Sequence, residues 1–454
     1  MPGLNPQRAI VLAFLLAIAV GTGLLSLPCA VSSGPRLDFL SAAFTACSAV
    51  CVTGLTVIDP GAVLSTFGKA VLMALVELGG LGVMTLGTFF LVVVGRRLSM
   101  ANEFSVMNAY GTEQVKGLRG LVVWSVGIML TCEALGAVAF WRVFTREAGS
   151  LHAALTDGAA WFKAAFYSVM GFCNAGFAFT PDSLAPFAGD ALFEFAMGAL
   201  CLVGGLGFLV IINLCTIRFW RRNLRTRGRL TLHTKVVLAA TLLLVLGGSF
   251  LFIVFEWDHA LAALSPWERV EAGLSQTVIS HTAGFTALPA DGMRPVTRLL
   301  TEALMMVGGS PGSSAGGIKT TTLAVLVFTV YAMCRGRAET TLFSRTVPAS
   351  VVRESIVIFV FACACTVLLL GTLLVTEAGN PALDSSRLLF EAVSALSTTG
   401  LSLDVTPLLS TGGKLAVMAA MFCGRLGALT VVLVIGNRDE HQRIRYPNEE
   451  LVVG

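Results

Sequence analysis

Four short segments place a glycine beside small and hydroxyl-bearing residues at a nearly constant spacing. They are Val52-Thr53-Gly54-Leu55, Asn174-Ala175-Gly176-Phe177, Thr282-Ala283-Gly284-Phe285 and Thr398-Thr399-Gly400-Leu401. Glycine reaches backbone angles that turn successive carbonyl groups toward one side, and threonine adds hydroxyl oxygens. Oxygen donors without a thiolate or imidazole cluster favour an alkali cation over a transition metal. We therefore predict that these four glycine segments supply oxygen ligands to a dehydrated cation.

The surroundings of the glycine segments repeat as well. Their glycines are 122, 108 and 116 residues apart, and each follows a short apolar stretch, at 37–51, 158–173, 267–281 and 385–398. These stretches are too short to cross a bilayer, so we predict half-helices that enter the membrane and stop. The alternative, ordinary turns between helices, does not require a small polar partner at constant spacing.

A second glycine element follows each segment after 24 to 28 residues. These elements are Gly79-Gly80-Leu81-Gly82, Gly204-Gly205-Leu206-Gly207, Gly308-Gly309 and Gly424-Arg425-Leu426-Gly427. Small residues permit close approach of helices in membranes. We expect that packing role everywhere except in the third element.

The composition predicts that membrane-spanning helices position these segments. Of 454 residues, 55% are hydrophobic and 13% are charged, whereas soluble domains average about 25% charged. Apolar runs occur at 9–27, 70–94, 121–140, 192–214, 236–255, 323–333, 356–375 and 415–435, most of them near the length of about 20 residues that a spanning helix needs. We expect the first run to remain as a span rather than to be cleaved as a signal peptide.

The predicted fold class is an all-α integral membrane protein with four pseudo-repeats of helix, pore helix, filter loop and helix around one central pore. Eight helices would span the membrane within a single transmembrane domain, 1–454. The units are 1–97, 98–222, 223–340 and 341–438, and 439–454 is a cytoplasmic tail. Of 31 Lys and Arg residues, 19 lie at the termini or between units, which predicts cytoplasmic termini and outward-facing glycine segments.

A glycine-rich loop in the third unit is predicted to gate the pathway. It comprises Gly308, Gly309, Ser310, Pro311, Gly312, Ser313, Ser314, Ala315, Gly316 and Gly317. Five glycines and one proline in ten residues prevent a continuous helix, so the segment can cross the pore below the glycine segments. A kinked, packed helix is the alternative. Arg425 must face the protein interior because a mid-helix arginine in lipid is costly. There it would bind carbonyl groups of the loop and place a positive charge in the cation path, so Arg425 is predicted to belong to the gate. Lys319 is expected to extend to the cytoplasmic interface.

Longer motifs carry a family resemblance. The segments 308–320 and 421–430, the last residues Tyr446-Pro447-Asn448-Glu449-Glu450-Leu451-Val452-Val453-Gly454 and the four glycine segments resemble the Trk/Ktr/HKT superfamily of cation transporters, most closely its bacterial Ktr branch. The resemblance covers essentially the whole chain. It implies potassium uptake across the bacterial plasma (inner) membrane, with potassium at the filter carbonyls, sodium stimulation and no intrinsic cofactor. It also implies a homodimer in membrane lipid and a cytoplasmic ring of nucleotide-binding regulatory proteins, with no nucleic-acid partner.

Other functions find less support in the sequence. A sodium-selective or non-selective cation channel of the same fold stays open, although glycine in all four segments favours potassium. A membrane enzyme is not indicated, because HExxH, GxSxG within an apolar run and a Walker A motif are all missing. A proton-coupled transporter could use Glu77, Glu133, Glu194 and Glu302, although three of these precede a second glycine element and suggest a shared structural role.

Two further predictions concern charged or titratable residues beside the glycine segments. Asp59, Asp182, Asp291 and Asp404 follow the filter glycines by four to seven residues. As a set they would raise the cation concentration at the mouth, while each alone could be a solvated carboxylate or a helix cap. His281 departs from the resemblance, since an arginine is common there. We expect it to be a hydrogen-bonded structural histidine, with titration behind the filter as the alternative.

Overall fold

The computed structural model describes residues 6–32, 36–81, 117–146, 157–180, 183–187, 189–217, 230–286, 288 and 292–427. The predictions that concern Gly82, Asp182, Asp291, the basic segments 96–116 and 218–229, and the chain beyond 427 with the tail 439–454 lie outside these residues.

The described chain is mostly helical. In chain order the helices are α1 (Pro6–Leu25), α2 (Phe39–Val50), α3 (Pro60–Val63), α4 (Thr66–Gly80), α5 (Gly117–Phe144), α6 (Gly158–Cys173), α7 (Ala191–Leu206), α8 (Phe208–Thr216), α9 (Leu232–Glu256), α10 (Pro266–Thr282), α11 (Pro295–Met306), α12 (Thr320–Cys334), α13 (Ala349–Thr376), α14 (Ser385–Ser397) and α15 (Thr411–Leu426). Two short antiparallel strands, β1 (Thr341–Leu342) and β2 (Arg345–Thr346), follow α12.

Several helices suit a bilayer. Within the described ranges, α5 (over Val123–Phe144), α9 and α13 are long and apolar enough to span it, and the pair α7 and α8 would make a fourth span bent by 95°. The outer faces of α9 and α13 expose large apolar side chains, such as Leu243 at 74% and Val375 at 79%. Apolar surface of this kind fits contact with lipid hydrocarbon.

The apolar run 192–214 does not form one continuous helix, because it breaks at Gly207. Gly207 has φ +80° and ψ 151°, which ends α7 before α8 begins. Gly427 has nearly the same angles, φ +80° and ψ 144°, at the end of α15. Glycine tolerates this backbone region at little steric cost. The last glycine of the second element therefore directly follows the end of a helix in two units.

Four short helices, α2, α6, α10 and α14, precede the glycine segments, and each starts at a polar cap. Their bounds lie within two residues of the predicted stretches. Asp38 accepts from the Ser41 amide at 3.1 Å, and the Asp157 and Asp384 side chains cap α6 and α14 in the same way. Ser265 and Glu268 form a capping box at α10. These caps satisfy amides that a helix start leaves free.

The packing of these helices closes on itself. The helix after each glycine segment contacts the short helix of the next unit: α4 lies on α6, α7 on α10, and α11 on α14. The last such helix, α15, returns to α2 near the start of the chain. This circular order brings the four glycine segments toward one place.

Candidate ion pathway

The four glycine segments meet in a closed circle of backbone contacts. A Cβ added to Gly54 would lie 2.5 Å from the Ala175 carbonyl oxygen, and one added to Gly176 would lie 3.0 Å from that of Ala283. A Cβ on Gly284 would meet the Thr399 carbonyl oxygen, and one on Gly400 would meet that of Thr53. Each glycine thus abuts the carbonyl before the next glycine, and only a hydrogen fits between them.

The backbone of the segments is turned in a similar way in each unit. All four glycines have positive φ, between +66° and +97°. Val52, Asn174 and Thr398, two residues before their glycines, are also left-handed, with φ of 56°, 59° and 50°. The third segment differs because α10 continues through Thr282, and the Gly284 amide still donates to the Ile279 carbonyl at 3.1 Å.

Two serines that the sequence analysis missed hold the first and fourth segments. The Gly54 amide donates to Ser48 Oγ at 3.0 Å, and the Gly400 amide donates to Ser394 Oγ at 3.1 Å. Both serines are buried and lie six residues before their glycine. The shared offset was visible in the sequence, whereas the other two units lack a serine there.

Several oxygen atoms at the segments have no hydrogen-bond partner in the part of the chain that the structure describes. Thr53 Oγ1, Asn174 Oδ1 and Thr398 Oγ1 are shielded and accept or donate no hydrogen bond among the described residues. Their residues are at most 1% exposed. Buried polar atoms are usually satisfied, so three such oxygens beside one ring fit a passing cation as their partner. The oxygen-only set suits an alkali ion.

The second glycine elements lie against the ends of the short helices. A Cβ on Gly79 would meet the Val50 carbonyl oxygen, one on Gly204 that of Phe172, and one on Gly424 that of Leu396. Each of these carbonyls is four residues before a filter glycine. The geometry is the close packing that the sequence predicted for these three units.

The glycine-rich loop packs against the second and fourth glycine segments. Ser310 and Ser314 are at most 1% exposed, and their amides donate to Gly205 at 3.0 Å and Gly204 at 3.3 Å. Asn174 Nδ2 donates to Ser314 Oγ at 2.8 Å. A Cβ on Gly316 would meet Thr398 Oγ1. The loop therefore touches segments two and four from one side.

Two basic side chains hold the loop. Arg425, 5% exposed on α15, donates through Nη1 to the Ser314 carbonyl and through Nη2 to the Gly79 carbonyl. Lys319 Nζ donates to the Ala315 carbonyl at 2.7 Å. The expectation that Lys319 extends to the cytoplasmic interface is therefore wrong, because its ammonium group binds the loop instead. Arg425 links the loop to two other units.

The residues that flank the glycine segments match different alternatives of the sequence analysis. Asp59 caps α3 by accepting from the Gly61 amide at 2.8 Å, which matches the capping alternative, while Asp404 is exposed. His281 is 3% exposed, and its Nδ1 lies 3.1 Å from the Leu304 carbonyl oxygen. This contact matches the expected hydrogen-bonded structural histidine.

Comparison with known proteins decides the family. A family model described as "Cation transport protein" (TrkH) matches residues 9–442. The chain belongs to this family. The cation transport family comprises transporters and not enzymes, and its match confirms the resemblance that the glycine segments and longer motifs indicated.

Individual members of the cation transport family match along almost the full length of the chain. The potassium/sodium uptake protein NtpJ of Enterococcus hirae is 34% identical, over 99% of this chain and 98% of that protein. The Ktr system potassium uptake protein B of Vibrio alginolyticus is 34% identical over 98% and 94%, and that of Bacillus subtilis is 32% identical over 99% and 97%. The potassium transporter TrkH from Vibrio parahaemolyticus has a similar fold, with a TM-score of 0.69 at 18% identity over 96% of this chain and 86% of that structure.

Proposed function

We propose that this chain carries potassium into the cell through a central pore formed by its four glycine segments. The circle in which each glycine abuts the next carbonyl carries the proposal. The names of the relatives, which are potassium or potassium/sodium uptake proteins, support the same ion. Because the family comprises cation transporters, the proposal concerns which cation passes and by what route.

The proposed filter consists of the first three residues of each glycine segment. Their carbonyl and hydroxyl oxygens replace the hydration shell of potassium as it enters. The serine bonds to Gly54 and Gly400 hold two neighbouring segments of the ring, since a Cβ on Gly400 would meet the Thr53 carbonyl oxygen. The unpartnered oxygens of Thr53, Asn174 and Thr398 are further ligands in this proposal.

The proposed gate is the glycine-rich loop with Arg425. The loop lies under the filter, and its contacts with Asn174 and Thr398 put it next to the ion's path. Arg425 keeps it there by binding the Ser314 carbonyl, and it adds a positive charge below the filter. In this proposal, opening requires the loop to leave these partners while the filter above stays intact.

The wider organisation is proposed on the family resemblance. The units 1–97, 98–222, 223–340 and 341–438 would form four pseudo-repeats with eight spans, and the circular packing of their helices supports this division. The chain would lie in the bacterial inner membrane with both termini in the cytoplasm. It would form a homodimer, bind a cytoplasmic ring of nucleotide-binding subunits and respond to sodium.

Uptake of radioactive rubidium or potassium by the purified protein in liposomes tests the proposed function. We expect uptake that unlabelled potassium inhibits and that sodium at equal concentration inhibits at least about tenfold less, which corresponds to about 1.4 kcal/mol of preference. Empty liposomes are the control. Equal inhibition by sodium would instead support the non-selective channel of the same fold, and absence of uptake would contradict both.

A further inference from the structure

Three side chains with metal-binding atoms meet behind the second glycine segment. They are Glu77 on α4, Glu133 on α5 and Cys173, the last residue of α6. One carboxylate oxygen from each glutamate and the thiol sulfur all lie within 4.8 Å of one another. Glu133 is 7% exposed, Cys173 is fully buried and Glu77 is half-buried. Two units of the chain thus contribute to one buried cluster.

The polar atoms of this cluster are poorly satisfied. The Cys173 thiol donates to Glu133 Oε1 at 3.9 Å, near the upper limit for a sulfur hydrogen bond, and the other polar group that faces Glu133 is the Glu77 carboxyl group. Glu77 Oε2 is shielded and lacks a hydrogen-bond partner among the described residues. Two carboxylates that face each other away from water repel unless a cation or a proton lies between them. The cluster therefore calls for a positively charged partner.

We propose that Glu77, Glu133 and Cys173 bind a divalent metal ion of the zinc class. Cysteine thiolate selects zinc and similar ions over potassium, sodium or magnesium, which prefer oxygen alone. Three protein ligands with one open position are a common zinc arrangement. Zinc bonds of about 2.0–2.3 Å in a tetrahedron separate ligand atoms by about 3.5 Å. The three atoms lie within 4.8 Å of one another, so zinc binding in this proposal draws them closer together.

The surrounding backbone leaves room for the thiol. A Cβ on Gly80 would meet Cys173 Sγ, so the absence of a side chain at this position lets the sulfur approach α4. Cys173 is bonded directly to Asn174, the left-handed first residue of the second glycine segment. A metal at the cluster would therefore link α4, α5 and α6 and hold this segment from behind, apart from the ion's own path.

Metal binding by the full-length purified protein tests the site without any transport assay. After removal of metal with a chelator, addition of Zn²⁺ and removal of the unbound ion, we expect one Zn²⁺ per chain by elemental analysis. Competition with a chromophoric chelator would give the affinity, and Co²⁺ would show a thiolate-to-metal charge-transfer band. In Cys173→Ser and Glu133→Gln, the zinc affinity should fall at least about a hundredfold, because loss of an outer-shell partner alone can lower metal affinity by up to about that factor. The charge-transfer band should vanish in Cys173→Ser.

Matched controls keep the result specific. Cys201→Ser removes another fully buried thiol, on α7, and Glu194→Gln removes a carboxylate from the same helix. Both variants should bind zinc as the parent does. If the parent chain retains no zinc, the proposal is overturned whatever the variants do, and a shared proton between Glu77 and Glu133 takes its place. Equal zinc affinity in the parent, Cys173→Ser and Glu133→Gln would also overturn it.

Discussion

Replacement of Arg425 by alanine should open the pathway that we propose the glycine-rich loop closes. The guanidinium group donates to the Ser314 carbonyl in the loop and to the Gly79 carbonyl on α4. Hydrogen bonds to charged groups contribute about 1.5–3 kcal/mol each. Only the Ser314 bond is made to the loop, so its loss would destabilise the closed loop by about 1.5–3 kcal/mol. At 1.4 kcal/mol per factor of ten, the ratio of open to closed loop should rise about ten- to a hundredfold.

The expected result is a large rise in passive flux at unchanged selectivity. Rubidium uptake by Arg425→Ala in liposomes should increase by up to about a hundredfold, because flux follows the open fraction until most channels are open. The ratio of inhibition by potassium to inhibition by sodium should stay within about twofold of the parent, because the glycine segments are unchanged. A twofold change is well below the tenfold that corresponds to about 1.4 kcal/mol. Deletion of residues 310–315 should have the same effect.

Two further variants separate the contributions. Arg425→Lys keeps the charge but loses the forked geometry that reaches two carbonyls at once. Flux like that of the alanine variant would assign the effect to loop anchoring, and flux like that of the parent would assign it to charge. Lys414→Ala removes a positive charge from the other end of α15 and serves as the control. Unchanged flux in both the alanine variant and the deletion would refute the gate, leaving the loop as a packed kink.

Three further outcomes are expected. Gly400→Ser should lower the preference for potassium over sodium about tenfold in the uptake assay, because Gly400 has φ +95° and an added Cβ would meet the Thr53 carbonyl oxygen. Gly379→Ser, with open space around the added atoms, should leave the preference unchanged, and equal preference in the two variants would contradict the carbonyl ring. Asp38→Ala should lower the melting temperature, as loss of an N-cap costs about 1 kcal/mol. The Ser41 hydrogen bond lowers the pKa of Asp38 below its usual 3.8, so this contribution is present above that pH and is lost as pH falls through the lowered value; a difference from the parent that persists at lower pH would contradict the cap. Potassium uptake should increase with external sodium, and equal rates with and without it would remove sodium stimulation.

The periodic glycines were the most informative feature of the sequence. They located the four segments and, through the apolar stretches before them, the short helices α2, α6, α10 and α14 to within two residues. Composition and longer motifs indicated the membrane class and the family. These features depend on chain length, hydrophobicity and local spacing, which a single sequence displays directly.

Contacts between distant units could not be predicted in the same way. The binding of Lys319 to the loop carbonyl of Ala315 depends on where the loop lies, and apolar length alone suggested that the side chain would reach the membrane interface. The break at Gly207 was hidden in a continuous apolar run, since hydrophobicity does not report backbone angles. The cluster of Glu77, Glu133 and Cys173 joins residues from separate helices, and no spacing rule connects them.

The contact between Gly400 and Thr53 has a consequence for biosynthesis. The first glycine segment emerges early from the ribosome, but the neighbour that completes it lies 346 residues later in the chain. Contacts between such distant parts of a sequence form slowly. During synthesis, the surface of the first unit that later packs against the fourth is therefore uncovered in the bilayer. Oxygens such as Thr53 Oγ1 are exposed there until the fourth unit is made. Chains truncated before α14 should be degraded by membrane proteases far faster than the full-length chain, because the first unit also lacks its neighbour.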